Sequence, residues 1–155
     1  MDVSPDVENL VDMLVELDER GIMVNALTAE GLPTCDIDSS DGKFFAFRDS
    51  NGAIVGFAGL EVFGDCALLR SMVVLPAHRH RGCGAAILER MVARAQALGV
   101  KTLYLLTTTA APFFAKHGFR KVSRENTPAS IMETAEFSSL CPSTAEFMER
   151  ILNGR

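Results

Sequence analysis

Residues 67–99, ALLRSMVVLPAHRHRGCGAAILERMVARAQALG, decide the fold, because they read in succession as a strand, a basic loop with two glycines and an amphipathic helix. Met72-Val73-Val74 closes the apolar run, and Arg79-His80-Arg81-Gly82-Cys83-Gly84 crosses from loop to helix. Ile87, Leu88, Met91, Val92, Ala95 and Leu98 then recur at helical spacing, which predicts a helix over 80–98 capped by Gly99. The two glycines leave N–H groups uncovered at a helix start. There the positive end of the helix dipole and the neighbouring cationic side chains favour an anion.

Working outward, residues 101–107 (KTLYLLT) form the next predicted strand, and a strand-helix-strand unit closes as a right-handed crossover with parallel strands. Upstream, strands at 43–48 and 53–62 flank Asp49-Ser50-Asn51-Gly52, whose Asn-Gly supplies the positive φ of a tight hairpin. A second hairpin turns at Gly64-Asp65 into a strand at 67–75. With those two residues at its centre, Phe63 faces Cys66, Glu61 faces Leu68 and Gly59 faces Arg70, so Glu61 and Arg70 become diagonal neighbours on one face.

The ends are read from periodicity. Val7, Leu10, Val11, Leu14 and Leu17 predict a helix over 6–20, and Gly21 separates it from a second helix over 22–30. The Asp- and Ser-rich residues 34–42 read as a loop. Pro112 suits the first turn of a short helix over 113–117, residues 119–123 a strand, and 128–134 another short helix. Ser143-Thr144-Ala145-Glu146 fits a capping box, which predicts a last helix ending near Leu152.

With 155 residues, 48% hydrophobic, and a formal charge of −5, the chain suits one domain over 1–155: helices over 1–33, a core over 43–123 and a C-terminal segment over 124–155. The acidic balance argues against nucleic acid or an anionic membrane as partner, so the basic loop is a local feature suited to a small anion. The N-terminus lacks a secretory pattern and no stretch reaches membrane-spanning length, so a cytoplasmic location is expected. Cys35, Cys66, Cys83 and Cys141 are scattered without metal-ligand spacing; they are expected as buried or half-buried free thiols, with no metal.

The glycines do not make a dinucleotide fingerprint, because Ile87 stands at the third position and no ribose-binding acid follows the next strand, which ends in Thr107-Thr108-Thr109. A Walker loop is absent. Arg79, Gly82 and Gly84 do fit [QR]xxGx[GA], and residues 110–119 (AAPFFAKHGF) look like a second block, AxxxYxKxGF. In this order and separation the two blocks resemble the GCN5-related N-acetyltransferase (GNAT) family. The resemblance implies an α/β (α+β) acyl-CoA N-acyltransferase fold: a mixed, mostly antiparallel sheet with helices on both faces, opening into a V beside the coenzyme. It further implies acetyl-CoA as co-substrate. Backbone groups around Met72, Val73 and Val74 would meet the pantetheine arm, and N–H groups across Arg79, His80, Arg81, Gly82, Cys83, Gly84 and Ala85 the pyrophosphate. Thr107 takes the place of an Asn that contacts pantetheine in many relatives, and Phe114 the place of a Tyr that serves them as general acid. Relatives begin with a strand, so the helix over 6–20 is a departure, suited to covering a sheet edge or a partner subunit in a homodimer.

Gly31-Leu32-Pro33, Gly59-Leu60-Glu61, Leu69-Arg70-Ser71, Leu105-Leu106-Thr107-Thr108, Phe137 and Leu140-Cys141-Pro142 are similar to the arsenic-resistance branch of this family. This narrower resemblance implies an acceptor linked to arsenic detoxification, such as an arsenic- or phosphorus-containing amino acid. Acetyl transfer to an amine needs a base, a polarised thioester carbonyl and a stabilised leaving thiolate. Glu61 is the candidate base, directly or through water, with a salt bridge to Arg70 as its alternative role. Arg70 is the candidate anchor for an acceptor carboxylate, and Arg124 could reach the same pocket. Phe114 cannot donate a proton, Tyr104 reads as a core residue, and His117 suits a helix end. The expected reaction is acetylation of the primary amine of a small anionic molecule. The rival expectations are a non-catalytic acyl-CoA sensor and a peptide N-terminal acetyltransferase.

Overall fold

A computed structural model describes residues 10–37, 42–134, 137–138 and 144–152. Its centre is a seven-stranded sheet in the order β1-β2-β3-β4-β5-β7-β6. The strands are β1 (Val11–Leu14), β2 (Lys43–Arg48), β3 (Ile54–Phe63), β4 (Cys66–Val74), β5 (Thr102–Thr107), β6 (Arg120–Lys121) and β7 (Glu146–Ile151). Helix α1 (Arg20–Ala29) precedes β2, α2 (Cys83–Ala97) joins β4 to β5, and α3 (Ala111–Lys116) and α4 (Ala129–Met132) lie between β5 and β7.

The hairpin register is the expected one: Phe63 opposite Cys66, Glu61 opposite Leu68, Gly59 opposite Arg70. Strands β4 and β5 pair in parallel, as a right-handed crossover requires, and every other pairing is antiparallel. Helix α2 buries Ile87, Leu88, Met91 and Ala95 against Phe45, Phe47, Ala58, Leu60 and Leu69 on one face of the sheet. Helix α1 buries Met23 and Leu27 with Phe44, Ala46, Phe57 and Val73 on the other. The two faces therefore alternate along β2, as period-2 side chains demand.

Both ends depart from the periodicity. Residues 11–14 form the edge strand β1 and not part of a helix over 6–20, of which residues 6–9 lie outside the described residues. Of the apolar residues that suggest a helical stripe, Leu10 joins the α2-side core while Val11, Leu14 and Leu17 stay exposed at the surface. Asp12 fixes the strand instead, accepting from Arg90 Nη1 at 2.8 Å and pairing with Arg94, both on α2. Gly21 lies within α1 and does not interrupt it.

The last helix is likewise a strand. β7 inserts between β5 and β6, with Phe147 stacked on Tyr104 at 5.3 Å on one face and Met148 in the α2-side core on the other. A segment buried on both faces carries consecutive apolar residues, which periodicity alone cannot separate from a helix. Ser143 of the expected capping box lies outside the described residues, as does Cys141.

Candidate active site

The β4–β5 ladder runs only from Cys66 opposite Thr102 to Leu68 opposite Tyr104. Beyond it the strands part, and a cavity of about 360 Å³ opens between Leu69 to Val74 on one side and Leu105 to Thr107 on the other. Part of the cause is a bulge in β4. Phe57 pairs with Val73 and Gly59 with Arg70, which leaves Ser71 and Met72 together opposite Ala58. An extra residue bends the bulged strand and re-aims its side chains. Ser71 takes a left-handed backbone, φ 58°.

The cavity's walls follow the sequence blocks. Met72, Val73, Val74, Arg79, Gly84, Thr107 and Phe114 all border it. Thr107 Oγ1 accepts from Ala110 N–H at 2.9 Å and so closes the turn that aims α3 across the cleft. Phe114 packs edge-on to Phe113 and Phe119 at 5.1 and 5.6 Å, so this wall is aromatic and offers no proton. Arg79 donates from Nε to the Val74 carbonyl at 2.9 Å and from Nη2 to Glu30 at 2.8 Å, tying the end of α1 to the loop before α2.

The loop itself ends in Gly82, left-handed at φ 83°, which caps α2 without a side-chain hydrogen bond. The first N–H groups of α2 thus have no side-chain acceptor at the cap, the condition in which a helix start takes an anion. His80, Arg81 and Gly82 are exposed around it, and Cys83 is buried beneath. Burial pushes the Cys83 thiol above its ordinary value, against the opposing pull of Arg81. Cys66 is half-buried, but Cys35 is exposed, contrary to expectation for that thiol.

Beside the cavity lies a buried charge cluster. Arg70 has no exposed side-chain surface, and its guanidinium holds Asp36 through both ends, Nη1 to Oδ2 at 2.5 Å and Nη2 to Oδ1 at 2.7 Å. Nη1 also reaches Glu61 Oε2 at 2.9 Å, and Nε donates to Ser71 Oγ at 3.1 Å. The diagonal contact read from the hairpin register is therefore made. Arg70 borders the cavity, whereas Glu61 and Arg124 are not on its wall. Arg124 donates to the Ala145 carbonyl at 2.6 Å and stacks over Phe137. Tyr104 is a core residue, and burial raises its phenol, helped by Glu149.

The sequence does not single out Asp36 or Glu30, and it names Ser71 only within the Leu69-Arg70-Ser71 motif, with no role. Asp36 stands in a stretch whose composition says only loop, and nothing local to Ser71 announces a positive φ. Among the described residues no group of His, Cys, Asp and Glu could hold a metal ion, and no helix is long and apolar enough to cross a membrane.

The split sheet with a helix start at its mouth has counterparts among known proteins. N-acetylglutamate synthase from Neisseria gonorrhoeae, complexed with coenzyme A and N-acetyl-glutamate, superposes with a TM-score of 0.78 at 18% identity over 93% of this chain and 35% of that one. Rv2747 from Mycobacterium tuberculosis, in complex with CoA and NLQ, gives a TM-score of 0.75 at 21% identity over 92% of this chain and 99% of that one. At these identities the likeness establishes the fold. In sequence, an amino-acid acetyltransferase of Ectopseudomonas mendocina (strain ymp) is 34% identical over 127 residues, 81% of this chain but 28% of that protein. The chain thus spans less than a third of the length of such relatives. Residues 40–121, holding both sequence blocks and the parted strands, match the model of the acetyltransferase (GNAT) domain. Motif order, fold and family model agree, and the chain belongs to the GNAT acetyltransferase family.

Proposed function

We propose that this chain transfers acetyl from acetyl-CoA to the amine of an amino acid. The observation that carries the reading is the cavity formed where β4 and β5 part, next to the helix start at Gly82. An extended pantetheine arm suits strand edges that have left their ladder, and a pyrophosphate suits the N–H groups at the start of α2, with Arg79 and Arg81 as nearby cations and His80 beside them. The acceptor class is supported by the amino-acid acetyltransferases that share 34% identity with the chain. Within that class, an anionic acceptor of the arsenic- or phosphorus-containing kind is supported by the motifs shared with the arsenic-resistance branch.

In this reading Arg70 takes an acceptor carboxylate by exchanging it for that of Asp36, which already meets the guanidinium in the two-point geometry a carboxylate prefers. Glu61 takes the amine's proton through water, since it is not on the cavity wall while its partner Arg70 is. The amine nitrogen attacks the thioester carbon, the C–S bond breaks with its electron pair on sulfur, and the thiolate is protonated from water because Phe114 has no proton to give.

The test follows CoA thiol release from acetyl-CoA with a panel of amino acids, including phosphorus- and arsenic-containing analogues of glutamate. Turnover with amino acids is expected. Tight acetyl-CoA binding without release for any acceptor would favour the sensor that the Phe114 position motivates. Glu61→Gln is expected to lower kcat by about 10²-fold, the scale of a lost general base, with acetyl-CoA affinity nearly unchanged. Unchanged turnover removes Glu61 from the mechanism.

A further inference from the structure

Ser71 is a buried hydroxyl that the folded chain does not use up. It lies in the bulge of β4, it borders the cavity, and it is 7% exposed. Its φ of 58° is a conformation that L residues other than glycine adopt at a cost in free energy. Glycine would fill the same bulge without that cost, so backbone geometry alone does not explain a serine. Strain retained at a cleft points from the outlier towards function.

The hydroxyl's partners say what the side chain can do. Arg70 Nε donates to Ser71 Oγ at 3.1 Å, and Arg70 is fixed from behind by Asp36 and Glu61. An oxygen that accepts from a buried cation is a poorer acceptor and nucleophile, and its own O–H is a stronger donor. Among the described residues no group accepts that proton. A polarised, desolvated donor held in place before a reaction begins is what stabilises a developing oxyanion.

We infer that Ser71 is a catalytic residue that donates a hydrogen bond to the acetyl carbonyl oxygen as it gains negative charge; the inference rests on the acetyl-transfer reading above. As the amine nitrogen forms its bond to the carbonyl carbon, the carbonyl π pair moves onto oxygen, where Ser71 Oγ–H meets it. Ser71 keeps its proton throughout. When the carbonyl re-forms, the C–S bond breaks with its pair on sulfur, and the proton lost by the amine is balanced by the one gained by the thiolate. Arg70, which holds Ser71 Oγ through Nε, is then a positioning group that keeps the hydroxyl aimed while its Nη atoms exchange Asp36 for the acceptor carboxylate.

Two variants separate chemistry from fold. Ser71→Gly removes the hydroxyl and relieves the strain, whereas Ser71→Ala removes the hydroxyl and keeps it. Both leave Arg70 Nε without that acceptor, so relief of strain sets the difference, and Ser71→Gly is expected to melt above Ser71→Ala. Both are expected to lose about 10²-fold in kcat, the scale of one oxyanion donor, with KM for acetyl-CoA changed less than about threefold. Calorimetry supplies a readout independent of turnover: because the hydrogen bond strengthens only as charge develops on the carbonyl oxygen, both variants are expected to bind acetyl-CoA within about threefold of wild type. A Ser71→Gly enzyme with kcat within about threefold of wild type, or one whose loss lies in acetyl-CoA affinity with kcat unchanged, overturns the role of Ser71 while leaving acetyl transfer standing. A wild type that turns over no acceptor overturns both.

Discussion

Replacing Arg70 by Met removes the cation that two buried carboxylates share. Asp36 and Glu61 are 9% and 5% exposed in their side chains, and Arg70 is 0% exposed, so water cannot easily replace the guanidinium. Breaking a buried pair by removing one partner costs about 3–5 kcal/mol, because the remaining charge stays desolvated. For a chain of 155 residues, with about 2–4 °C of melting temperature per kcal/mol, the loss is roughly 6–20 °C. Thermal unfolding followed by circular dichroism measures it. The companion variant Asp36→Asn/Glu61→Gln/Arg70→Met carries no stranded charge and is expected to recover at least half of the loss. A single Arg70→Met variant melting within about 2 °C of wild type would refute the reasoning, since it would mean that solvent already screens the cluster. Equal melting of the single and triple variants would show that lost packing of the Arg70 stem, not stranded charge, sets the cost.

Gly56→Ala is expected to destabilise by about 1–3 kcal/mol, the usual range for overpacking, because its Cβ would lie 2.4 Å from the Val73 carbonyl oxygen and 2.7 Å from Ile87 Cδ1. Since Val73 is also cavity wall, KM for acetyl-CoA should rise together with the fall in melting temperature. Among the described cysteines, iodoacetamide at pH 8 should alkylate Cys35 first and Cys83 last, as mass spectrometry of digests would show, because Cys83 is both buried and raised in pKa by that burial. The Tyr104 phenol, also raised by burial, stabilises the fold fully below its ordinary value of 10.0. That stability is lost as pH climbs from there through the folded value, so alkaline melting curves should fall above pH 10.

What the sequence reveals and what it hides divides along physical lines. The β3–β4 register, the crossover through α2 and the loop-to-helix block that reaches the cavity are legible because turn chemistry, one-sided burial and glycine placement are local signals. The edge strand β1 is not, because its residues are placed by backbone pairing to β2 and by Asp12 gripping α2, while its apolar side chains remain in water. Strand β7 is hidden for the opposite reason: both of its faces are buried, and Phe147 and Met148 then mimic a helix stripe. At the site, Glu61 beside Arg70 follows from register. The grip of Asp36 on Arg70 does not, since it joins residues 34 apart through a loop whose composition is merely polar.

The short seam between β4 and β5 has a mechanical meaning. Three residue pairs join those strands, against seven between β3 and β4 and six between β5 and β7. The sheet is in effect two leaves, β1 to β4 and β5 with β7 and β6, stitched near one end. An extended ligand in the open part of that seam, as the proposed reading places the pantetheine arm, would extend the stitching in the manner of a strand. On the acetyl-transfer reading, a bound coenzyme would bridge the two leaves as well as supply acetyl, and its occupancy would stabilise them together.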